Sequence, residues 1–388
     1  TAATNAAYAT AAGYGATASG LYASALGAGA IASAHGSVAV GGQALDEDGA
    51  PLLVDGSGNP LIHAALGTGA SSTALGAGSL ASGTLALAAG AGAVASDYGA
   101  TGLGSLANAL GGDATAVGFQ SLAAGSGSVA LGAGAFATGE HAAALGPAAT
   151  ASTDLAIAIG WQSQATGAES TAVGGFTQAA GDFSTALGIA AIAPGVRGTA
   201  MGMNANANGS HSTAIGAAGT AWGDNSTAIG DTSFAQLNGV ALGQNSNAQA
   251  ASAVALGASA QVQAQADGAV ALGADAIADR AGTVSIGSAG HERQIANVAA
   301  GTEDTDAVNL AQLHAALEGA GGGSAYFKAN GAGDGSDAAY ADGAHGTAAG
   351  AGALAEGAES SALGAGAVAF DDQSTAVGAN AIAQGQGA

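Results

Sequence analysis

The side chains suited to acid–base chemistry or metal binding are few in this sequence, and they are scattered. Three histidines lie close in sequence to a carboxylate: His141 follows Glu140, His291 precedes Glu292, and His314 lies four residues before Glu318. The last spacing is typical of a contact on the surface of a helix. A catalytic or metal-binding histidine needs partners that converge on one place, and nothing in the spacing of these three provides that. The pattern predicts no catalytic residue, no metal, no cofactor and therefore no enzyme.

One short segment resembles part of a calcium-binding loop. Asp55, Ser57 and Asn59 have the spacing of the first three ligands of an EF-hand, but the twelfth position is Leu66 instead of glutamate. We interpret residues 46–63 as an insertion that forms a loop or hairpin outside the main fold. Because it departs from its surroundings, it is the first candidate for a specificity element.

Composition excludes several classes of protein. The 388 residues include 70 glycines, only 4% aromatic residues, 4 Lys plus Arg and 27 Asp plus Glu, which gives a net charge of −23. Such an acidic chain is unsuited to nucleic acid and to anionic membrane surfaces. No apolar run is long enough to span a bilayer, and the absence of cysteine excludes disulfides and thiolate metal sites.

The glycines follow a repeat of 14 residues. A glycine closes each run of small residue, alanine and aliphatic residue, and from Gly76 to Gly230 these glycines are separated by eleven consecutive steps of 14. The same period holds at Gly13, Gly27 and Gly41, and again at Gly350, Gly364 and Gly378. A fixed period over most of a chain is the signature of a solenoid.

Each repeat contains two predicted strands and two turns. The residue before the glycine is aliphatic, the one before that is alanine, and the third is often threonine, as in Thr185–Gly188. This alternation predicts a short strand. Small residues around Ile192 predict a second strand, and further glycines such as Gly139 and Gly209, seven residues after the first, predict a second turn at positive φ. About twenty such coils give a rod of roughly 95 Å.

When the repeats are stacked, the residues at one position of successive repeats form a column. The side chains of the alanine column are small enough to face inward in a narrow roll, which leaves the aliphatic column outside. A continuous apolar stripe on a rod is too large to stay in water, so we infer that other chains bury it. The inverse arrangement, with the large residues inside and alanine outside, stays open at this point.

Asp97, Asp113, Asp154, Asp182 and Asp224 do not all share one column, which argues against a calcium-binding β-roll. The threonine column leaves an ice-binding solenoid as an alternative, although Leu87, Val129, Ala143 and Ile157 interrupt it.

The segment SIGSAGHERQIANVAAGTEDTDAVNLAQLHAAL, Ser285 to Leu317, resembles the neck of YadA-like trimeric autotransporter adhesins, and TDAVNLAQL is its most specific part. The repeats STAIG and SVALG, followed by AxAxG, resemble the head of the same family. The resemblance implies an all-β fold: a left-handed parallel β-roll, a single-stranded solenoid with 14-residue coils, in an intertwined homotrimer with a short helical neck.

This resemblance also implies a division of the chain. We expect a head over residues 1–290 with the insertion at 46–63, a neck with a short coiled-coil helix over 291–318, a linker over 319–338 and a second, truncated head over 339–388. The long stalk and anchor barrel of the family are absent from the sequence, so we interpret it as a passenger fragment.

The neck carries the predicted contacts between chains. Leu310, Leu313 and Leu317 have the spacing of a coiled-coil seam. By resemblance, Arg293, Gln294, Asp306, Asn309 and Gln312 match basic and polar neck positions and are expected to contact neighbouring chains. Asp304 or Thr305 is predicted to cap the helix, with Asp306 in its first turn and Gly319 at its end.

The resemblance implies a surface adhesin of a Gram-negative bacterium, located at the cell surface and outer membrane. We expect a homotrimer that attaches to extracellular matrix such as collagen, fibronectin or laminin, with no nucleic acid partner and no direct membrane contact in this segment. The alternatives are a structural spacer, or a module for self-association in aggregates or biofilm. The sequence assigns no ligand-binding residue. The aromatic residues Phe119, Trp161, Phe176, Phe183, Trp222 and Phe234 are interpreted as fillers of gaps at turns.

Overall fold

The computed structural model describes residues 1–43, 48, 50, 63–321 and 335–388. Most of the 46–63 insertion, including Asp55, Ser57 and Asn59, and much of the 319–338 linker therefore lie outside the described residues. The described residues form two compact units, Thr1–Arg293 and Gln294–Ala388. Apart from one short helix, all the regular secondary structure of the described residues is β-strand.

The first unit is a parallel β-solenoid with two sheets of nineteen strands each. The glycine that closes each repeat of about 14 residues, such as Gly188 or Gly202, is here called the coil glycine. Sheet 1 contains the strands that end just before the coil glycine, and sheet 2 contains the strands that follow it. The strands of sheet 1 are Thr10–Ala12, Ser24–Leu26, Val38–Val40, Thr73–Leu75, Leu87–Ala89, Thr101–Leu103, Thr115–Val117, Val129–Leu131, Ala143–Leu145, Ile157–Ile159, Thr171–Val173, Thr185–Leu187, Thr199–Met201, Thr213–Ile215, Thr227–Ile229, Val240–Leu242, Val254–Leu256, Val270–Leu272 and Val284–Ser285. The strands of sheet 2 are Ala3–Thr4, Thr17–Ala18, Ile31–Ala32, Leu66–Gly67, Leu80–Ala81, Val94–Ala95, Asn108–Ala109, Leu122–Ala123, Phe136–Ala137, Thr150–Ala151, Gln164–Ala165, Gln178–Ala179, Ile192–Ala193, Asn206–Ala207, Thr220–Ala221, Phe234–Ala235, Asn247–Ala248, Gln261–Val262 and Ile277–Ala278.

Successive coils stack in register, so that each column of the sequence becomes a column of the structure. Leu187 pairs with Met201 and Ala186 with Ala200, in parallel. Coils of irregular length keep this register. For example, Thr227 pairs with Val240 across a 13-residue step. Val38 pairs with Thr73, so the coils on either side of the insertion are also direct neighbours.

The interior of the roll is made of alanine and serine. Ala74, Ala186, Ala193 and Ala200 are fully buried, and Val262 is the largest fully buried side chain among the described residues. The prediction that alanine faces inward is confirmed, and the inverse arrangement is wrong. Small side chains let the two sheets approach closely, so backbone stacking and tight contacts replace the large apolar core of a globular domain.

The two glycines of each coil serve different purposes, and one prediction about them is wrong. Gly202, at the first turn, has φ +131°, and a Cβ there would lie 2.4 Å from the carbonyl oxygen of Gly216. Gly209, at the second turn, does not have a positive φ, and it is required because a Cβ would lie 2.0 Å from the carbonyl oxygen of Gly223. The positive φ of the second turn falls two residues later, at His211 with φ 58°.

The second unit contains the neck segment and a smaller roll with its own alanine core, which includes Ala355, Ala362 and Ala369. Its strands are Tyr340–Ala341, Thr347–Ala349, Leu354–Ala355, Ser361–Leu363, Val368–Ala369, Thr375–Val377 and Ile382–Ala383, paired in parallel within a four-stranded and a three-stranded sheet.

The neck helix spans Leu310–Gly321, and its ends differ from the prediction. Asn309 caps it, because its Oδ1 accepts a hydrogen bond from the Gln312 N–H at 3.0 Å. The Asn309 N–H donates in turn to Gln312 Oε1 at 3.3 Å, which makes a capping box. Asp304 and Thr305 are therefore not the cap, Asp306 precedes the first turn, and Gly319 lies inside the helix.

Candidate functional site

The aliphatic column of sheet 1 forms a continuous stripe on the outside of the first unit. This aliphatic ladder consists of Leu26, Val40, Leu75, Ala89, Leu103, Val117, Leu131, Leu145, Ile159, Val173, Leu187, Met201, Ile215, Ile229, Leu242, Leu256 and Leu272. Leu187 is 40% exposed and Leu272 47%, and the remaining members are half-buried or similarly exposed. The other outward column of sheet 1 contains mainly threonine and valine, with Thr185 and Thr199 as examples. An apolar stripe of this length marks an interaction surface.

Acidic side chains line the second turn, on the edge of the roll away from the coil glycines. This acidic edge consists of Asp97, Asp113, Glu140, Asp154, Glu169, Asp182 and Asp224, all of which are exposed. Asp154, Asp182 and Asp224 each lie eight residues after a coil glycine and share a column, whereas Asp97 and Asp113 lie seven and nine residues after theirs, so the five do not form one column. Their Oδ1 atoms accept hydrogen bonds from the N–H groups of Glu140, Ala168 and Ser210 in the preceding coils, at 2.8–3.0 Å. These carboxylates therefore tie successive coils together at the turn.

Most aromatic side chains lie on the surface and fill no gap. Phe119, Trp161, Phe176, Phe183 and Trp222 are each at least 44% exposed, so the gap-filling interpretation is wrong for them. Tyr8 and Tyr22, which were not among the predicted aromatic residues of interest, stack with ring centroids 5.0 Å apart. Their spacing of one 14-residue repeat was the available signal.

Arg293 holds the end of the first roll. Its guanidinium donates to the carbonyl oxygen of Ile286 at 2.7 Å and to that of Ala274. It lies across Gly273, where a Cβ would be 3.2 Å from Nη1. Arg293 therefore bonds within its own chain, and these two bonds leave several of its five N–H groups for other partners. Gln294 follows it and is exposed.

The polar neck residues fold the segment before the helix back on itself. The Asp306 carboxylate accepts the N–H of Thr302 at 2.9 Å and that of Glu303 at 3.1 Å. The Gln312 side chain accepts a hydrogen bond from the Gly301 N–H at 2.9 Å and donates one to the Gly301 carbonyl oxygen at 3.0 Å. The Asn309 side-chain amide donates to the Val298 carbonyl at 3.1 Å. The structure thus brings Asp306, Asn309 and Gln312 together within one chain.

The predicted seam leucines stand on the surface of the neck helix. Leu310 is 65% exposed, Leu313 47% and Leu317 60%. Val308, just before the helix, is 69% exposed. A helix of 12 residues is only marginally stable by itself in water, and these exposed leucines are available for contact with another apolar surface.

Neck folding should depend on pH through Asp306. The backbone N–H groups of Thr302 and Glu303 lower the pKa of this carboxyl. A depressed folded-state pKa gives a contribution to stability that is present above the ordinary value and is lost as pH falls through the folded one. We expect hydrogen-exchange protection of the Thr302 and Glu303 amides to fall in acid, below about pH 4. In Asp306→Ala, protection should be low at every pH, whereas Asp304→Asn should behave like the unmodified protein. A protection profile of Asp306→Ala that still follows pH would contradict this role.

The histidine–carboxylate neighbours do not form a site. Glu292 uses its carboxylate to accept the Gly290 N–H at 3.0 Å, and the backbone N–H groups of Glu292 and Gly290 lower its pKa. His141 stands at a left-handed corner, with φ 56°. Within residues 1–43, 48, 50, 63–321 and 335–388, no group of three or more His, Cys, Asp or Glu residues is arranged to hold a metal ion. In the same ranges, no helix is both long and apolar enough to cross a membrane.

The sequence matches two family descriptions. One is the YadA head domain repeat, matched in nine segments that together cover more than half of the chain: 5–30, 18–44, 109–135, 137–163, 165–191, 193–218, 207–233, 237–260 and 355–381. The other is the coiled stalk of trimeric autotransporter adhesin, matched at residues 294–335. The head matches fall on the roll of each unit, and the stalk match begins at the neck.

Individual proteins are also similar. The autotransporter adhesin EhaG of Escherichia coli O157:H7 is 40% identical over 78 residues, which are 20% of this chain and 5% of that protein. The crystal structure of the collagen-binding domain of the Yersinia adhesin YadA has 34% identity, covers 47% of this chain and 85% of that chain, and superimposes with a TM-score of 0.33. With head repeats over more than half of its length, this chain belongs to the YadA-like family of trimeric autotransporter adhesins.

Proposed function

We propose that three copies of this chain associate into an intertwined homotrimer of left-handed rolls that serves as the adhesive passenger of a Gram-negative surface protein. The observation that carries the proposal is the aliphatic ladder. It runs along the whole first roll and is only partly covered within one chain, although the interior of that roll is closed. Burying the ladder between three rolls removes this apolar surface from water. Family membership supports a location at the cell surface, associated with the outer membrane.

The neck would join the three chains at the end of this roll. In this proposal the head covers residues 1–290, the neck 291–318, the linker 319–338 and a second head 339–388. Leu310, Leu313 and Leu317 pack against their counterparts, which accounts for their exposure in one chain. Arg293, Gln294, Asp306, Asn309 and Gln312 contact neighbouring chains with the donors and acceptors that their bonds within the chain leave free.

We further propose that the trimeric head binds extracellular matrix, with collagen, fibronectin or laminin as the partner. The similar Yersinia domain is a collagen-binding domain, and the related head repeats here support the same class of ligand. A trimer presents each surface three times, and linked weak contacts add up to strong attachment. Retention on immobilised collagen, fibronectin or laminin tests this. No retention on any of them would favour a spacer, and aggregation of coated beads without ligand would favour self-association.

Charges in the neck seam should weaken the trimer. Leu310→Asp combined with Leu313→Asp would place two carboxylates per chain where three apolar side chains meet. We expect a lower melting temperature and partial dissociation, measured by calorimetry and by light scattering behind a sizing column. Ala311→Asp with His314→Asp is the control, because it adds carboxylates at the same spacing one residue further along the helix. Unchanged mass and melting in the leucine variant would show that this seam does not hold the chains together.

A further inference from the structure

Four apolar side chains project from the first turn of four successive coils. This edge cluster consists of Trp161, Phe176, Ile189 and Met203, which are 54%, 44%, 61% and 55% exposed. The Trp161 and Phe176 rings meet edge to face, with centroids 4.6 Å apart. Hydrogen bonds between coils hold the corner, since the Phe176 N–H donates to the Trp161 carbonyl at 2.9 Å and the Asn204 N–H donates to that of Ile189 at 2.9 Å.

The cluster is local, whereas the coil beneath it is repeated along the whole roll. At the position of Trp161, directly after the coil glycine, most other coils have a small residue such as Ala133 or Ala217, and Tyr14 and Phe119 are isolated exceptions. Phe176 lies one residue further on and has φ 58°, where other coils have glycine, alanine, a polar residue such as Asn204 or, in one coil, Leu106. Left-handed geometry costs any residue with a Cβ about 1–2 kcal/mol, and the edge-to-face pair returns about 0.5–1.5 kcal/mol. The fold of one chain therefore gains little from the aromatic ring at this corner.

Beyond the neck, which joins the chains at one end only, a repetitive interface does not define the axial register of the rolls, that is, which coil of one roll lies beside which coil of the next. Successive members of the ladder are alike, as in the pair Leu187 and Met201. If one roll slides along another by one coil, aliphatic residues still meet aliphatic residues, and contacts are lost only at the two ends. As in a strand whose pattern does not specify its pairing, such an interface is prone to slippage. A run of bulky side chains on four successive coils, which does not recur along the roll, removes this degeneracy.

The cluster also lies on the edge that can approach another chain. It adjoins the ladder directly, because Trp161 and Ile189 follow the ladder residues Ile159 and Leu187 after one glycine. Between Gly76 and Gly243, the acidic residues form the acidic edge on the opposite turn, and only Asp231 lies on this one. Burying the first turn therefore requires almost no desolvation of carboxylates, whereas burying the acidic edge would require much. The four half-exposed side chains add about 400 Å² of mainly apolar surface to the ladder, within the range that marks an interaction site.

We propose that the edge cluster packs against the neighbouring copy of this chain and sets the axial register of the three rolls. The inference rests on the proposed homotrimer and adds the residues that fix its alignment. The ladder supplies most of the buried surface, and the edge cluster selects one alignment among many of similar energy.

The two tryptophans of the chain allow a direct test. Trp161 and Trp222 are similarly exposed in one chain, at 54% and 56%, but Trp222 lies six residues after its coil glycine, near the second turn. In Trp222→Phe, Trp161 is the single tryptophan among six tyrosines. With excitation selective for tryptophan, we expect acrylamide to quench it several-fold less in the native protein than after denaturation in guanidinium. In Trp161→Phe, native and denatured Trp222 should differ little. Mass must be measured on the same samples.

The outcomes separate this inference from the trimer itself. A trimer whose Trp161 is quenched as easily as in the denatured chain would overturn the inference and leave the trimer intact. Shielding of Trp161 only after collagen is added would also overturn it, because the cluster would then be a ligand site. A folded monomer would overturn the proposed assembly and this inference with it.

A pair of double variants tests the role in alignment. Trp161→Ala with Phe176→Asn uses residues found at the same positions of other coils, so the roll itself should fold. We expect this variant to form trimers with a lower and broader melting transition. Trp222→Ala with Phe183→Asn removes the same side chains from the other side of the roll. It also removes an exposed contact between the Phe183 ring and Arg197, 5.5 Å from the ring centroid, so it should melt only slightly below the unmodified protein. Equal effects of the two variants would contradict a register role for the edge cluster.

Discussion

Gly202→Val should disrupt the first roll at a single coil and lower its stability more than any surface substitution. Gly202 has φ +131°, a region closed to side-chain-bearing residues, and its Cβ would lie 2.4 Å from the Gly216 carbonyl oxygen in the next coil. Turning the peptide to an allowed φ would break the hydrogen bond from the Gly202 N–H to the Leu187 carbonyl. We expect the free energy of unfolding to fall by about 3 kcal/mol or more.

The damage should be local at first, because each coil contacts only its neighbours. Limited proteolysis should reveal a new cleavage site close to residue 202, and calorimetry should show an earlier, split transition. Gly134→Ala is the control: Gly134 also has positive φ, at +64°, but a Cβ there meets nothing within 4 Å. Ala148 and Ala190 already occupy the equivalent position with φ near 55°. If the two variants melted alike, close stacking at the coil glycine would not be what limits this position.

The columns of the sequence were sufficient to predict the roll because a parallel solenoid places residues 14 apart in direct contact. Ala186 and Ala200 share a column in the sequence and pair in the structure. Only side-chain size then decides which column faces inward, and alanine fits a narrow interior. The same logic would have revealed the bonds of Asp154, Asp182 and Asp224 to the preceding coils, since these aspartates are separated by multiples of 14 residues.

Features that depend on local geometry were less predictable. Both glycines of a coil look alike in sequence, but Gly202 is needed for its φ and Gly209 for the space around it. Before the neck helix, several residues are suitable caps, and only the bond between Asn309 and Gln312 distinguishes Asn309 from Asp304 and Thr305. A polar residue that matches a family position also bonds within its own chain, as Asp306 does. Sequence spacing does not separate such a bond from a contact between chains.

Leu187→Asp should dissociate the trimer into folded monomers. Leu187 lies in the middle of the aliphatic ladder, is 40% exposed in one chain, and pairs with Met201. In the trimer the substitution would bury three carboxylates among aliphatic side chains, and an uncompensated buried charge costs about 3–5 kcal/mol. Because the side chain points out of the roll, the alanine interior and the hydrogen bonds between coils need not change. We expect the solution mass to fall from about three times 35.2 kDa to 35.2 kDa while the β-sheet circular dichroism is retained.

Val196→Asp provides a closely matched control, and the comparison decides where the chains meet. Val196 is an exposed aliphatic residue like Leu187, at 42%, but it lies eight residues after its coil glycine, where Asp154, Asp182 and Asp224 already stand. A carboxylate there joins the acidic edge and stays in water, so the Val196→Asp protein should remain trimeric. The two variants add the same charge to the same roll and differ only in the side that receives it. If Leu187→Asp kept the trimeric mass, the ladder would not be the surface through which the chains associate, and multivalent adhesion would need a different assembly. If Val196→Asp also dissociated, the acidic edge would be part of the interface. The proposal that the acidic edge and the surface in contact with other chains lie on different sides of the roll would then be wrong.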